Sequence, residues 1–205
     1  MPRRVGPPVL RIVAGRHRGR RLAAPEGATT RPTAERVRQA LFDMLWHAPW
    51  AGRDAVEGAR VLDAFAGTGA LGLEALSRGA ARAIFIEQDR AALAALKRNV
   101  ETLREVEATR VIPGDATRPP RADAPCSLIL LDPPYGKDLV PRALAALRGA
   151  GWIAPGALVA AEVAKADPLD VPGFEQVAER AHGAARLVFL RDLTPALSAD
   201  AASPP

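Results

Sequence analysis

Apolar and polar positions change period several times along the chain, and each change marks an element. Leu128-Ile129-Leu130-Leu131 is an unbroken apolar run, the pattern of a strand buried on both faces in a parallel sheet. Pro133 and Pro134 stop it, because neither can donate to a sheet ladder. The segments 60–62, 83–86, 109–112 and 156–163 read as further strands. Between them lie helical patterns. Asp89 caps an amphipathic stretch with Leu93, Leu96, Val100 and Leu103 on one face, and another helix runs from about Lys137 to Leu147. Strands alternating with helices predict an α/β fold. Segments 174–179 and 186–190, either side of His182-Gly183, predict a closing antiparallel hairpin.

The chain before residue 60 follows a different rhythm. Residues 9–14 and 20–23 read as two short strands around the turn Gly15-Arg16-His17-Arg18-Gly19, with His17 a polar turn residue. Arg31-Pro32-Thr33 leads into a helix that Thr33 can cap, with Val37, Leu41, Met44 and Leu45 as its apolar face. Trp46 and Trp50 read as packing residues, and 51–59 as a linker. The organisation expected is a basic arm over 1–58, a main domain over 59–193 and a disordered tail over 194–205.

Composition changes that picture in one respect. The 205 residues carry a net charge of only +5, yet residues 1–40 hold ten arginines against Glu26 and Glu35. A basic arm on a near-neutral body points to a polyanion, with Arg16, Arg18, Arg20, Arg21, Arg31 and Arg36 as candidate phosphate contacts. The single Cys126 excludes a disulfide framework or a cysteine zinc cluster, and reads as a core thiol. No apolar run approaches a membrane span or a signal peptide, so a cytoplasmic location is expected.

Two stretches carry candidate chemistry. Asp132-Pro133-Pro134-Tyr135 sits at the carboxyl end of a central strand, where open α/β sheets bind ligands. A carboxylate and a nearby carbonyl can accept both hydrogens of a nucleobase amino group and aim its lone pair at an electrophile. Tyr135 offers a stacking face for a base drawn out of its helix. The second stretch, Asp63-Ala64-Phe65-Ala66-Gly67-Thr68-Gly69-Ala70-Leu71-Gly72, reads as strand, glycine turn and helix, with Glu87 twenty residues beyond Gly67. That spacing also fits a dinucleotide fingerprint. Asp63 favours a ligand with a cationic centre instead, since a pyrophosphate wants no carboxylate beside its helix N-terminus.

With these residues in view, the chain resembles the class I S-adenosylmethionine-dependent methyltransferases. More narrowly, it resembles the bacterial family that methylates a guanine amino group of 16S ribosomal RNA. The likeness runs from about Arg11 to Leu190 and rests on four pieces. They are Arg11-Ile12-Val13-Ala14-Gly15 with Arg18-Gly19-Arg20, Arg31-Pro32-Thr33 with Arg36-Val37-Arg38, the stretch from Asp63 to Arg78, and the Asp-Pro-Pro-Tyr. The resemblance implies a Rossmann-like, seven-stranded, mostly parallel sheet with a small N-terminal hairpin-plus-helix extension. It implies S-adenosylmethionine as donor, its methionine part near Asp63, Phe65, Gly67 and Gly69, its ribose on Glu87 and its adenine by Asp115 and Ala116. Asp132 and the Pro133 carbonyl would hold the guanine N2, Pro134 would stiffen the loop, and Tyr135 would stack on the base. Arg16, Arg18, Arg20, Arg21, Arg31, Thr33 and Arg36 would meet the RNA. Transfer would be direct, without metal, leaving S-adenosylhomocysteine. The implied partner is 16S RNA within the small subunit or an assembly intermediate, met by a monomer without a membrane. Alternatives are a DNA adenine methyltransferase, a protein-glutamine methyltransferase, or a non-catalytic ribosome-assembly protein that binds RNA.

Overall fold

The computed structural model describes residues 10–25, 32–136 and 138–195. Strands β1 (Arg60–Asp63), β2 (Arg82–Glu87), β3 (Thr109–Pro113), β4 (Cys126–Leu131), β5 (Ile153–Ala164), β6 (Phe174–His182) and β7 (Ala185–Asp192) form one sheet in the order β3-β2-β1-β4-β5-β7-β6. β1 to β5 are parallel, and β7 enters antiparallel between β5 and β6. The seven-stranded α/β architecture is the one expected. Chain order reverses between β1 and β4, so the carboxyl ends of those two strands open the crevice where such sheets take ligands.

The period-two alternation of the strands sorts the core into two layers. Val61, Phe85, Leu128, Leu130 and Phe189 face one side, and α1 (Pro32–His47), α2 (Ala70–Ser77) and α3 (Arg90–Leu103) cover them with Leu41, Phe42, Leu73, Leu76, Leu96 and Val100. Leu62, Ile84, Ile129, Leu131 and Val159 face the other side, beneath Val140, Leu144 and Leu147 of α4 (Leu139–Gly149). Cys126 is fully buried, and that burial pushes its thiol up to about 11, as befits a core residue. Trp50 packs its ring 5.0 Å from that of Phe189. Among the described residues, no helix is long and apolar enough to cross a membrane.

The N-terminal segment keeps its expected pairing and adds an anchor to the main body. The expected basic hairpin is there in shortened form: an antiparallel Arg11–Arg21 bridge is flanked by bonds from the Ile12 N–H to the Arg20 carbonyl at 2.9 Å, the Leu22 N–H to the Leu10 carbonyl at 2.8 Å and the Gly19 N–H to the Ile12 carbonyl at 2.9 Å, without two full strands. The donors nearest the turn go to α2: Val13 and Ala14 donate to the Glu74 carboxylate at 2.8 and 2.9 Å, and Arg16 to the Ser77 carbonyl at 2.8 Å. Leu10, Ile12 and Leu22 are buried in the same layer as α1 and α2, so the arm lies on the sheet's cover instead of standing free. Gly15 makes this approach feasible, since its φ is +79° and a Cβ there would fall 1.9 Å from the Ser77 oxygen. The expected linker is packed too. It holds a 3₁₀ turn at Arg53–Ala55, and Val56 and Ala59 are buried. β5 begins earlier than its apolar run suggested, and the closing hairpin reaches His182 and Ala185. The expected loose start, Arg31, Lys137 and residues 196–205 of the tail lie outside the described residues.

Two buried side chains fasten the arm. Glu74 also pairs with Arg78 at 2.9 Å and Arg38 at 3.4 Å, while Arg38 donates to the Arg11 carbonyl at 2.6 Å. Asn99 on α3 exchanges bonds with the Ala23 backbone and donates to the Thr68 carbonyl at 2.9 Å, joining arm to glycine turn. Replacing the Glu74 carboxylate by an amide takes the counter-charge from two arginines and sets an NH2 donor against one of the two backbone N–H groups. Glu74→Gln should therefore cost about 3 kcal/mol, read as a lower denaturant midpoint. A midpoint unchanged within error would show that the arm is not anchored there.

Candidate active site

The site is assembled from strand ends. β1 delivers Asp63, after which the chain turns through Ala64–Gly69 into α2. Gly69 caps that helix at φ +80°, where a Cβ would also strike Leu96 at 2.3 Å. Acids brace the turn at both ends. Glu87 accepts from the Gly67 N–H at 2.7 Å, and Asp63 accepts from the Gly72 N–H at 2.9 Å. Glu87 Oε1 is shared by the Gln88 and Asp89 amides at 2.8 and 2.7 Å. A carboxylate offers roughly four acceptor positions, so one remains on Glu87 Oε2 for a ligand hydroxyl.

Beside the turn lies a cavity of about 540 Å³, within the range usual for small-molecule sites. Phe65, Gly67, Glu87, Gly114, Ala116, Asp132, Pro133, Pro134, Tyr135 and Glu162 line it. The structure thus brings most of the expected donor and catalytic residues around one space. It places three of them differently. Gly69 shapes the turn without lining the cavity. Asp115 turns away to the Thr117 amide and hydroxyl at 2.8 and 2.9 Å, which holds its carboxyl below the usual range, while Gly114 and Ala116 face the space. Asp63 lies beneath the turn. It is buried, its Oδ1 has no partner, and burial with the nearby Asp132 and Glu87 charges pushes it up to about 7 against the Gly72 bond.

Asp132 follows β4 directly. It is open to the cavity, yet the protein around it withholds bulk water, and this burial together with the Glu162 carboxylate pushes it up to about 7. Glu162 was not singled out by sequence reasoning. Its one signal is an acid in the otherwise apolar run 157–163. The Leu131–Ala161 pairing sets Asp132 and Glu162 one step further along neighbouring strands, and the Tyr135 hydroxyl donates to Glu162 Oε1.

Four acids, Asp63, Glu87, Asp132 and Glu162, therefore gather at one edge of the sheet. The orphaned buried Oδ1 of Asp63 and the residual acceptor on Glu87 fit a ligand that pairs ribose hydroxyls with a cationic centre, as S-adenosylmethionine does. A pyrophosphate fits poorly, since the Gly67 and Gly72 amides that would cradle it already serve carboxylates. No group of three or more potential metal ligands occurs among the described residues.

The arm reaches this site. A smaller space of about 150 Å³ is walled by Leu10 of the arm, Val37 and Leu41 of α1 and Leu187 of β7, and it also touches Asp132 and Glu162. Of the arm's arginines, Arg16 bonds Glu105 at 2.7 Å and Arg20 the Thr102 carbonyl at 2.8 Å, where α3 ends. His17 joins the same Glu105 carboxylate, as a turn residue. Arg18, Arg21 and Arg36 are exposed and make no ion pair among the described residues. Thr33 is placed only by its position in the first turn of α1.

Comparison with known proteins gives a consistent set of relatives. The family model described as conserved hypothetical protein 95 matches residues 10–191. Ribosomal RNA small subunit methyltransferase D of Escherichia coli (strain K12) is 39% identical over 161 residues, 78% of this chain and 78% of that protein. The protein of the same name from Haemophilus influenzae is 35% identical over 167 residues, 80% of this chain and 83% of that protein. Among solved structures, the Escherichia coli protein yhhF has a TM-score of 0.76 at 34% identity, covering 90% of this chain and 98% of its own. An RNA methyltransferase from Salinibacter ruber, in complex with S-adenosyl-L-homocysteine, shares the fold, with a TM-score of 0.60 at 15% identity over 82% of this chain and 97% of that one.

The two carboxyls near 7 have a measurable consequence. Their folded values are raised, so both ionise only as pH rises through about 7, and a cationic ligand gains from each ionisation. The affinity for S-adenosylmethionine relative to the neutral thioether S-adenosylhomocysteine should increase as pH rises through 7, by calorimetry. A ratio independent of pH would mean that neither carboxyl senses the sulfonium.

Proposed function

The chain belongs to the conserved hypothetical protein 95 family, and on that premise we propose that it is an S-adenosylmethionine-dependent ribosomal RNA methyltransferase whose acceptor is the exocyclic N2 of a guanine in 16S RNA. The observation that carries the reading is the placement of Asp132, Pro133 and Tyr135 at one wall of the cavity that Glu87 and the glycine turn shape. Residues 59–193 form the methyltransferase domain in this reading, and residues 1–58 are the part that meets RNA. We place its action in the cytoplasm, as a monomer, on the small subunit or an assembly intermediate.

When bound, the donor supplies an electrophilic methyl group on a sulfonium sulfur. The chain's own residues prepare the acceptor. Glu87 takes a ribose hydroxyl, and Gly114 and Ala116 border the adenine. A guanine amino nitrogen is a poor nucleophile because its lone pair is delocalised into the ring. Asp132 accepts one amino hydrogen and the Pro133 carbonyl the other, which turns the lone pair out of the base plane. Tyr135 supplies the ring against which the extruded base stacks. Once the new N–C bond has formed, the nitrogen carries one proton too many. Asp132, whose carboxyl sits near 7, is poised to take it.

The segment rich in arginine supports RNA as the acceptor. Arg18, Arg21 and Arg36 extend from the arm and from α1, the two elements whose Leu10, Val37 and Leu41 wall the space beside Asp132. Contacts of this kind position a polyanion without reading sequence.

Asp132→Ala should abolish methyl transfer to 16S RNA while S-adenosylhomocysteine still binds, by calorimetry. Retained transfer would remove Asp132 from the mechanism. Replacing Arg18, Arg21 and Arg36 together by glutamine should make the log-log salt dependence of RNA affinity shallower by about 2. An unchanged slope would mean these arginines do not meet phosphate.

A further inference from the structure

The Asp132–Glu162 pair is more than one acceptor residue needs. Leu131 pairs with Ala161, so Asp132 leaves the end of β4 beside Glu162 of β5. Both line the large cavity, and both also line the smaller one. The Tyr135 hydroxyl donates to Glu162 Oε1, and a carboxylate keeps further acceptor positions for a ligand.

A guanine presents neighbouring donors on one edge: the two hydrogens of N2 and the hydrogen of N1. Asp132 and the Pro133 carbonyl account for N2 in the function proposed above. N1–H is the next donor along that edge, and a buried donor left unmatched is penalised. We infer that Glu162 is the specificity-determining residue that accepts the guanine N1–H, by its own carboxylate and not through the Tyr135 hydroxyl. The inference rests on the reading that guanine N2 is the acceptor.

The chemistry discriminates sharply. Adenine and 2-aminopurine carry a lone pair at N1 where guanine carries a hydrogen, so a carboxylate there meets lone pair with lone pair. Sites built to accept a substrate hydrogen reject analogues lacking it far more strongly than apolar pockets reject a missing methylene. Two carboxylates side by side on one base edge would thus select guanine over every other base bearing an amino group. A glutamine at this position reverses the sign at one of its two atoms, because its amide nitrogen can donate to a bare N1.

The test uses the full-length protein and a 16S RNA fragment carrying either guanine or 2-aminopurine at the methylated position. Both bases present an amino group at C2. Wild-type kcat/KM should favour guanine by 100-fold or more on the order set by a missing matched donor. Glu162→Gln should narrow that preference at least tenfold, whereas Tyr135→Phe should lower both rates with the preference largely kept. Intrinsic differences in the reactivity of the two amino groups cancel when the preferences of variant and wild type are compared. Melting temperatures of both variants report that they fold. An unchanged preference in Glu162→Gln, or an equal narrowing in Tyr135→Phe, would overturn the inference. So would a wild-type protein that treats the two bases alike, even if the glutamine variant does not fold. Failure of the wild type to methylate the guanine RNA at all would instead overturn the underlying reading, and the inference with it.

Discussion

Four carboxylates at one edge of a parallel sheet are the constraint to which the rest of this protein answers. Asp63 ends β1, Glu87 ends β2, Asp132 follows β4 and Glu162 lies at the same step of β5. Their burial and mutual repulsion raise two of them to about 7. An edge of that kind is costly to the folded state, because like charges crowd together and Asp63 is buried with one oxygen unpartnered. The chain relieves part of the cost with its own amides, from Gly67, Gly72, Gln88 and Asp89. A cationic donor relieves more. The binding site and the chemistry are thus two consequences of one arrangement of charge.

The arm extends this logic to the acceptor. A buried carboxylate, Glu74, gathers two arm amides and two arginines, and a buried amide, Asn99, ties the arm to the glycine turn. The segment expected to meet RNA is therefore fastened to the same turn that shapes the donor cavity. Asn99 joins the arm to the glycine turn, and Leu10 of the arm walls the space beside Asp132.

Much of this was legible in the residue pattern. The apolar run before Asp132, the glycine turn and Glu87 each carry a local signature, because strand burial, positive φ and helix capping act over a few residues. What was not legible depends on who lies opposite whom. Glu162 looked like one acid in an apolar strand, and only its pairing beside β4 gave it a partner. Asp115 has the expected position at the end of β3, but its side chain finds Thr117 two residues on, a bond the backbone turn decides. The arm read as a hairpin because its alternation suits one. The pairing forms, but the alternation does not show that the Val13 and Ala14 amides beside its turn go to a buried carboxylate on α2. Arginine clustering pointed to a polyanion but could not show that Arg16 and Arg20 are anchored to Glu105 and to the end of α3.

The central claim is that the crevice transfers a methyl group to a guanine amino nitrogen of ribosomal RNA. The measurement that reaches it most directly is transfer from labelled S-adenosylmethionine to small ribosomal subunits lacking native methylation, followed by mass spectrometry of the digested nucleosides. Naked 16S RNA, DNA and a protein extract serve as parallel acceptors. The account predicts label in RNA as N2-methylguanosine. Label in DNA, in protein or on any other nucleoside would contradict it.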